Sequence, residues 1–308
     1  METATCNQCG GSDAREVFPA TLGEGGGPRG DGAFRCTSAG YGAHFRIVEC
    51  RRCGLAYANP RYTAEEILQA YQNVQDPLYL QERAGRELTF RKHLADFERV
   101  AGRGTGRRLL DVGAYIGVFV QIARENGWDA EGLEPSRWAV ELAQSQGLPV
   151  RAGTLATAPY PAGHFDALTL WDVIEHMADP LAELRRAARL LKPGGALAVH
   201  TMDLASPFAR LMGARWPWLM EMHLYFFSRR TLRVLLESAG FEVLSIRPQG
   251  RYLRLGYLIT RIQPYSRPLA ALLDWLADRL RLRQLPIPLN FGDLVTAYAR
   301  KVDVEREA

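Results

Sequence analysis

The sequence predicts an α/β protein in which a doubly wound, mostly parallel sheet follows a small metal-dependent module at the amino terminus. Three observations carry this expectation. From residue 108 onward, short apolar strands alternate with amphipathic helices, the pattern that builds a parallel sheet. Before residue 60 no such pattern exists, but two CxxCG sequences stand at either end of that stretch. The 308 residues, 47% hydrophobic and 23% charged, allow one sizeable domain and an appendage.

The appendage comes first. Cys6-Asn-Gln-Cys9-Gly and Cys50-Arg-Arg-Cys53-Gly each place two thiols in a tight turn, and the following glycine takes the backbone angle such a turn demands. Four sulfurs, Cys6, Cys9, Cys50 and Cys53, suit tetrahedral Zn2+ in a closed structural site. Disulfides are disfavoured in a cytoplasmic protein, and neither pair sits at the strand–helix junction of a redox motif. Cys36 is left over as a buried or loop thiol. Between the knuckles, TLGEGGGPRGDG (21–32) reads as a turn-rich loop, so residues 1–60 are expected to depend on the metal for folding.

Residues 61–105 read as a helical linker. Thr63-Ala-Glu-Glu66 is a capping box opening a helix to about Gln72, and a second helix is expected over 78–101, with Phe90, Leu94 and Phe97 on one face. Arg103-Gly-Thr-Gly106 ends it. Strands then follow at 108–113, 128–135, 148–153, 165–172, 196–202 and 241–248, separated by helices over 118–126, 136–146, 181–191 and 231–239. Lys192-Pro-Gly-Gly195 reads as a turn, and 292–302 as a last strand. In such a sheet, ligands bind beyond the carboxyl ends of the strands at the topological switch point.

Three features converge there. Asp111, Gly113 and Ala114 end the first strand, and Gly117 opens a helix whose amino end can receive an anion. Glu134 ends the second strand, where an acid accepts ribose hydroxyls. Trp171 and Asp172 end the fourth. The stretches LLDVGAYIGVF, EGLEPS, FDALTLWDVIEHMADP, LLKPGGALAV and HLYFFSRRTLRVLLESAGFEV, spanning 108–250, resemble the class I S-adenosyl-L-methionine (SAM)-dependent methyltransferases of Rossmann-like fold. With the cysteine pairs ahead of it, the chain looks like bacterial methyltransferases of glycan and natural-product pathways. The resemblance implies that Gly113 and its neighbours approach the methionine moiety and that Glu134 holds the ribose. It also implies that Thr154 and Leu155 lie near the adenine, Trp171 near the methionine tail, and that 292–302 is an antiparallel strand within a domain spanning 106–303. Tyr115 departs from the full glycine motif and fits if its side chain points outward over the loop.

The acceptor is expected in the connections after the fourth, fifth and sixth strands. His223, His176 and Tyr225 are the catalytic candidates, His223 as general base, since a hydroxyl acceptor must lose a proton during attack. Asp172, Glu175, His176 and His223 could instead hold a divalent catalytic metal. His200 reads as a core histidine. The connection 251–290 is long and carries Leu269, Leu272, Leu273, Leu276 and Leu280 on one helical face. Seven arginines against Asp274 and Asp278 give residues 251–285 a charge of +5, within a whole-chain charge of +4. That insertion reads as a lid, a dimer element or a surface for a lipid-linked substrate or a membrane.

Composition narrows the rest. The polar start and the lack of an apolar run of about 18 residues predict a cytoplasmic protein. Six acids balance six arginines within residues 1–60, which disfavours nucleic acid as a partner. The function expected is methyl transfer to a hydroxyl, or an activated carbon, of a sugar-like or other small metabolite. The rivals are a zinc-module RNA methyltransferase and a non-catalytic SAM-binding module with a degenerate loop.

Overall fold

A computed structural model describes residues 1–23, 32–38, 40–263 and 266–302. Most of the glycine-rich loop expected at 21–32 lies outside the described residues. Three short strands come first, β1 (Ala14–Phe18), β2 (Ile47–Cys50) and β3 (Ala56–Ala58), followed by helices α1 (Ala64–Gln72), α2 (Pro77–Gln81) and α3 (Arg83–Ala101). The central run is β4 (Arg108–Val112), α4 (Val118–Glu125), β5 (Asp129–Glu134), α5 (Arg137–Ser145), β6 (Val150–Ala152), β7 (Phe165–Trp171), α6 (Pro180–Leu190) and β8 (Leu191–Met202). Then come α7 (Pro207–Met212), β9 (Tyr225–Phe226), α8 (Arg229–Ser238), β10 (Phe241–Pro248), β11 (Arg251–Arg254), α9 (Leu255–Ile262), α10 (Arg267–Arg279), β12 (Pro286–Leu289) and β13 (Leu294–Lys301).

The fold is the α/β, Rossmann-like one expected. Seven strands form a sheet in the order β10-β13-β8-β7-β4-β5-β6. The five strands from β8 to β6 are parallel, and β13 runs antiparallel to both of its neighbours. The order reverses between β4 and β7, so the switch point lies at their carboxyl ends. Leu109, Leu110, Leu168, Leu170, Leu197 and Val199 are all buried, which is why these strands read as continuous apolar runs rather than as alternation.

Two local expectations change. The helix expected over 78–101 is broken at Glu82, a buried carboxylate that pairs with Arg254 of β11; that tertiary ion pair overrides a continuous helical pattern. The turn expected at 192–195 is a bulge within β8: Phe165 pairs with Leu191, but Ala167 already pairs with Ala196.

The amino-terminal sheet is not self-contained. Its order is β1-β2-β3-β9, so a strand from beyond residue 220 completes it. Phe34, Phe45, Leu55, Tyr57 and Tyr62 are buried in the same apolar cluster as Leu110 and Phe165. These side chains therefore share one core with the seven-stranded sheet.

Candidate functional site

A cavity of about 530 Å3 opens at the switch point, within the size range of small-molecule and cofactor sites. Asp111, Gly113, Ala114, Tyr115, Glu134, Thr154, Leu155, Trp171 and Asp172 all line it, and so do Glu175, His176 and His223. The expected cofactor residues other than Gly117 and two of the three catalytic candidates therefore share one space. Gly117 does not line it. Its role is to begin α4 at φ 76°, where an added Cβ would meet Leu148 at 2.8 Å. Gly113, at φ 72°, is equally irreplaceable: a Cβ there would stand 2.5 Å from Val173.

The loop and the second strand are locked together. Glu134 accepts hydrogen bonds from the Tyr115 amide at 2.9 Å and the Ser136 amide at 2.8 Å, so the acid shapes the loop as well as facing the cavity. Burial pushes Glu134 up to about 7, while these amides pull the other way. Asp111 accepts from the Thr169 hydroxyl at 2.7 Å, and burial raises it to about 8, leaving a mostly neutral acid at pH 7.

Tyr115 takes φ 50°, the left-handed conformation a glycine would have supplied. Its side chain does not point outward as expected. It is buried edge-on against Tyr79 at 4.4 Å between ring centroids, with Trp138 at 6.0 Å, so aromatic packing holds the unusual backbone. Asp172 is also left-handed, at φ 56°. Burial opposes its charge, yet Arg251 at 3.2 Å and His200 at 3.6 Å hold its carboxyl down to about 2.

His176 and His223 face one another with ring centroids 4.8 Å apart. The Nδ1 of His176 lies 2.9 Å from the Met222 carbonyl, and that of His223 lies 2.7 Å from the Trp218 carbonyl. A carbonyl only accepts, so each ring carries its proton on Nδ1 and presents Nε2 as a base. Burial lowers both, and with His176 alongside, His223 falls to about 3. Glu175, raised to about 8 by burial and by Asp172, accepts from the Thr201 hydroxyl at 2.9 Å.

The four-residue metal set considered from sequence is reduced here. Ligand atoms of Glu175, His176 and His223 lie within 4.8 Å of one another, but Asp172 is engaged by Arg251 and His200 and is not among them. Tyr225 is also corrected. Its hydroxyl accepts from Arg61 at 2.6 Å and donates to the Ala178 carbonyl, and it lies outside the cavity lining. It braces the connection after β7 rather than reaching a substrate. His200, bonded through Nδ1 to Thr296, is the core histidine expected.

Sequence reasoning missed Tyr71, Tyr79, Arg86 and Arg251, all of which line the cavity. The Arg86 guanidinium lies 3.7 Å from the Tyr79 ring centroid, a cation–π contact that keeps a positive charge on the cavity wall. Tyr115 Oη, Trp171 Nε1, Tyr71 Oη, Arg86 Nε and Arg251 Nε are buried polar atoms without a partner among the described residues, and all belong to this lining. Buried donors are rarely left so, and five around one cavity suit a polar, anion-bearing ligand. An adenosyl amino acid, with its ribose, amine and carboxylate, fits that demand.

The cysteines form a second centre. Cys6 Sγ lies 3.4 Å from Cys53 Sγ, Cys9 Sγ lies 3.5 Å from Cys50 Sγ, and all four lie within 4.8 Å of one another. Sulfurs at the corners of a tetrahedron with metal bonds of about 2.3 Å stand about 3.8 Å apart, so the set fits Zn2+. The knuckles match each other: Gly10 N donates to Cys6 O at 2.8 Å and Gly54 N to Cys50 O at 2.9 Å. Both glycines take positive φ, as the spacing implied. Cys36 lies apart, on the cavity wall.

Known proteins resemble this chain in family and fold. Residues 81–246, more than half of the chain, match the family described as methyltransferase domain. A ubiquinone biosynthesis O-methyltransferase of Bordetella avium (strain 197N) is 31% identical over 115 residues, covering 34% of this chain and 47% of that protein. A tRNA U34 carboxymethyltransferase of Syntrophotalea carbinolica is 31% identical over 150 residues, covering 44% and 45%. The chain thus spans about half the length of these curated relatives. A SAM-dependent methyltransferase structure from Archaeoglobus fulgidus superposes with a TM-score of 0.50 at 18% identity, covering 73% of this chain and all of that one, a likeness of fold.

Proposed function

The chain belongs to the methyltransferase-domain family, and from that premise we propose that it is a SAM-dependent methyltransferase acting on a hydroxyl, or an activated carbon, of a sugar-like or other small metabolite. The observation that carries the reading is the single cavity in which Glu134 and the Gly113 loop meet the Nε2 atoms of His176 and His223. SAM, when bound, supplies an electrophilic methyl group on a sulfonium sulfur. Glu134 would hold the ribose hydroxyls, with Thr154 and Leu155 at the adenine and Trp171 at the methionine tail. Arg86 would meet the carboxylate.

The protein's own share of the chemistry is proton removal and exclusion of water. A hydroxyl attacking carbon must surrender its proton, and a neutral imidazole Nε2 accepts it; His223 is the preferred base, with His176 beside it. Phe90, Trp171, Trp218 and Met222 give the cavity an apolar wall, which suits a reaction in which positive charge is lost as the methyl group leaves. We assign Zn2+ to Cys6, Cys9, Cys50 and Cys53 as a structural ion.

The test is to incubate the purified protein with methyl-labelled SAM and fractionated cell extract. Label in a glycan, lipid or small-metabolite fraction is expected. Label in RNA would replace the small-metabolite reading, and none anywhere from protein that binds SAM would leave a binding module.

A further inference from the structure

We infer that the outer face of the α9–α10 hairpin is a docking surface for an anionic lipid bilayer. The hairpin is held at its base by the β11–β12 ribbon, and its two helices pack mainly on each other through Ile259, Ala270 and Ala277, with Leu255, Ile262 and Leu273 around them. That small core leaves most of the apolar side chains outside. Leu272, Trp275 and Leu280 are 53%, 58% and 61% exposed, and Leu269 and Leu276 are exposed beside them. On a helix of 3.6 residues per turn these five fall on one side, opposite Ala270 and Ala277. An apolar groove between the helices, lined by Leu258, Ile262, Leu276, Leu280 and Leu282 among others, continues the surface. A contiguous exposed patch of this kind marks an interaction surface rather than scattered surface leucines.

Charge selects the occupant. Arg251, Arg254 and Arg283 are paired with Asp172, Glu82 and Asp274. Arg261 is held by the Thr37 and Ser38 carbonyls, so Arg267, Arg279 and Arg281 against Asp278 leave the outer face at +2. Arg267, Arg279 and Arg281 are exposed and make no ion pair among the described residues. Arg279 lies within the leucine stripe itself, one turn beyond Trp275, where a long side chain can lay its stem on apolar surface and reach outward with its charge. A second copy docking by twofold symmetry would set two +2 faces against each other. An anionic headgroup layer over acyl chains meets both the charge and the leucines, as an interfacial helix requires. No helix among the described residues is long and apolar enough to cross a membrane, so contact would lie in the surface plane. The ribbon strand that carries the hairpin begins with Arg251, a residue of the cavity wall, which places the docking face on the same element as the site.

The experiment is co-sedimentation of the full chain with vesicles of phosphatidylcholine alone, or with roughly one part in three of phosphatidylglycerol, at about 0.05 M and about 0.5 M salt. Pelleting is expected with the anionic vesicles at low salt and is expected to fall at high salt. The double variant Leu272→Glu/Trp275→Glu should lower it at least tenfold, and Arg267→Gln/Arg279→Gln/Arg281→Gln severalfold, with melting temperatures near that of the parent because all five side chains are exposed. No pelleting of the parent, or equal pelleting of the parent and both variants, would overturn the proposal. So would sedimentation velocity showing a dimer that the leucine–tryptophan variant dissolves without any vesicle binding, which would assign the face to a second copy.

Discussion

The Nδ1 protons of His176 and His223 are pinned by backbone carbonyls, and this fixes what the two rings can do. An imidazole whose Nδ1–H is committed has a defined tautomer, so its Nε2 is available to an acceptor hydroxyl without reorganisation. Replacing His223 by Ala should lower turnover at least 100-fold while SAM affinity, read by calorimetry, stays within about twofold of the parent. Near-normal turnover in that variant would pass the role to His176. At this scale the sequence was partly legible. Gly113, Glu134 and Trp171 belong to a short run of strand ends whose spacing carries its own meaning. Tyr79 and Arg86 come from helices ahead of β4, and Arg251 from the ribbon between β10 and β13, so no local spacing announces them. Tyr115 was legible as an exception but not in its consequence, because its ring finds Tyr79, more than thirty residues away in sequence, rather than solvent.

Among the elements, the cysteine knuckles and the connection after β7 are bound to each other. Asn7, inside the first knuckle, donates to Asp179 at 2.7 Å and accepts from the Leu181 amide, at the start of α6. Arg230 of α8 donates to the Cys53 carbonyl at 2.7 Å, and Arg61 reaches Ala178. The connection so braced carries Glu175 and His176 into the cavity. Metal analysis should therefore find one zinc per chain, and Cys50→Ser should lose it. That variant should melt earlier and lose turnover more than tenfold, since a structural zinc contributes folding energy directly. Full turnover in zinc-free protein would separate the knuckles from the site. The paired cysteines made the four-sulfur cluster readable in sequence. Its attachment was not, because β9 is only two residues long, Tyr225–Phe226, and no periodicity marks so short a strand.

Across the whole molecule, the buried titratable groups set opposing pH dependences. Burial raises Asp111 to about 8, Glu134 to about 7 and Glu175 to about 8, against ordinary values of 3.8, 4.5 and 4.5. In the unfolded chain these acids have already lost their protons by pH 6, so between about pH 6 and 8 the folded state holds more protons and stability falls as pH rises. The histidines act the other way. His200 is lowered to about 4 and His223 to about 3, with His93 and His176 also below 6.5, so the unfolded chain takes up more protons in acid and stability rises with pH up to about 6.5. Thermal unfolding of the cofactor-free protein should therefore peak near pH 6 to 7, and a midpoint that climbs steadily to pH 9 would contradict the assignment. Added SAM sharpens the test. If Glu134 accepts the ribose hydroxyls, it does so best as a carboxylate, so the stabilisation by a fixed excess of SAM should grow from pH 6 to 8 as the acid ionises. Replacing Glu134 by Gln should weaken SAM binding and remove that growth, because the amide has no proton to lose in this range. Stabilisation equal at both pH values in the parent would place the ribose elsewhere in the cavity.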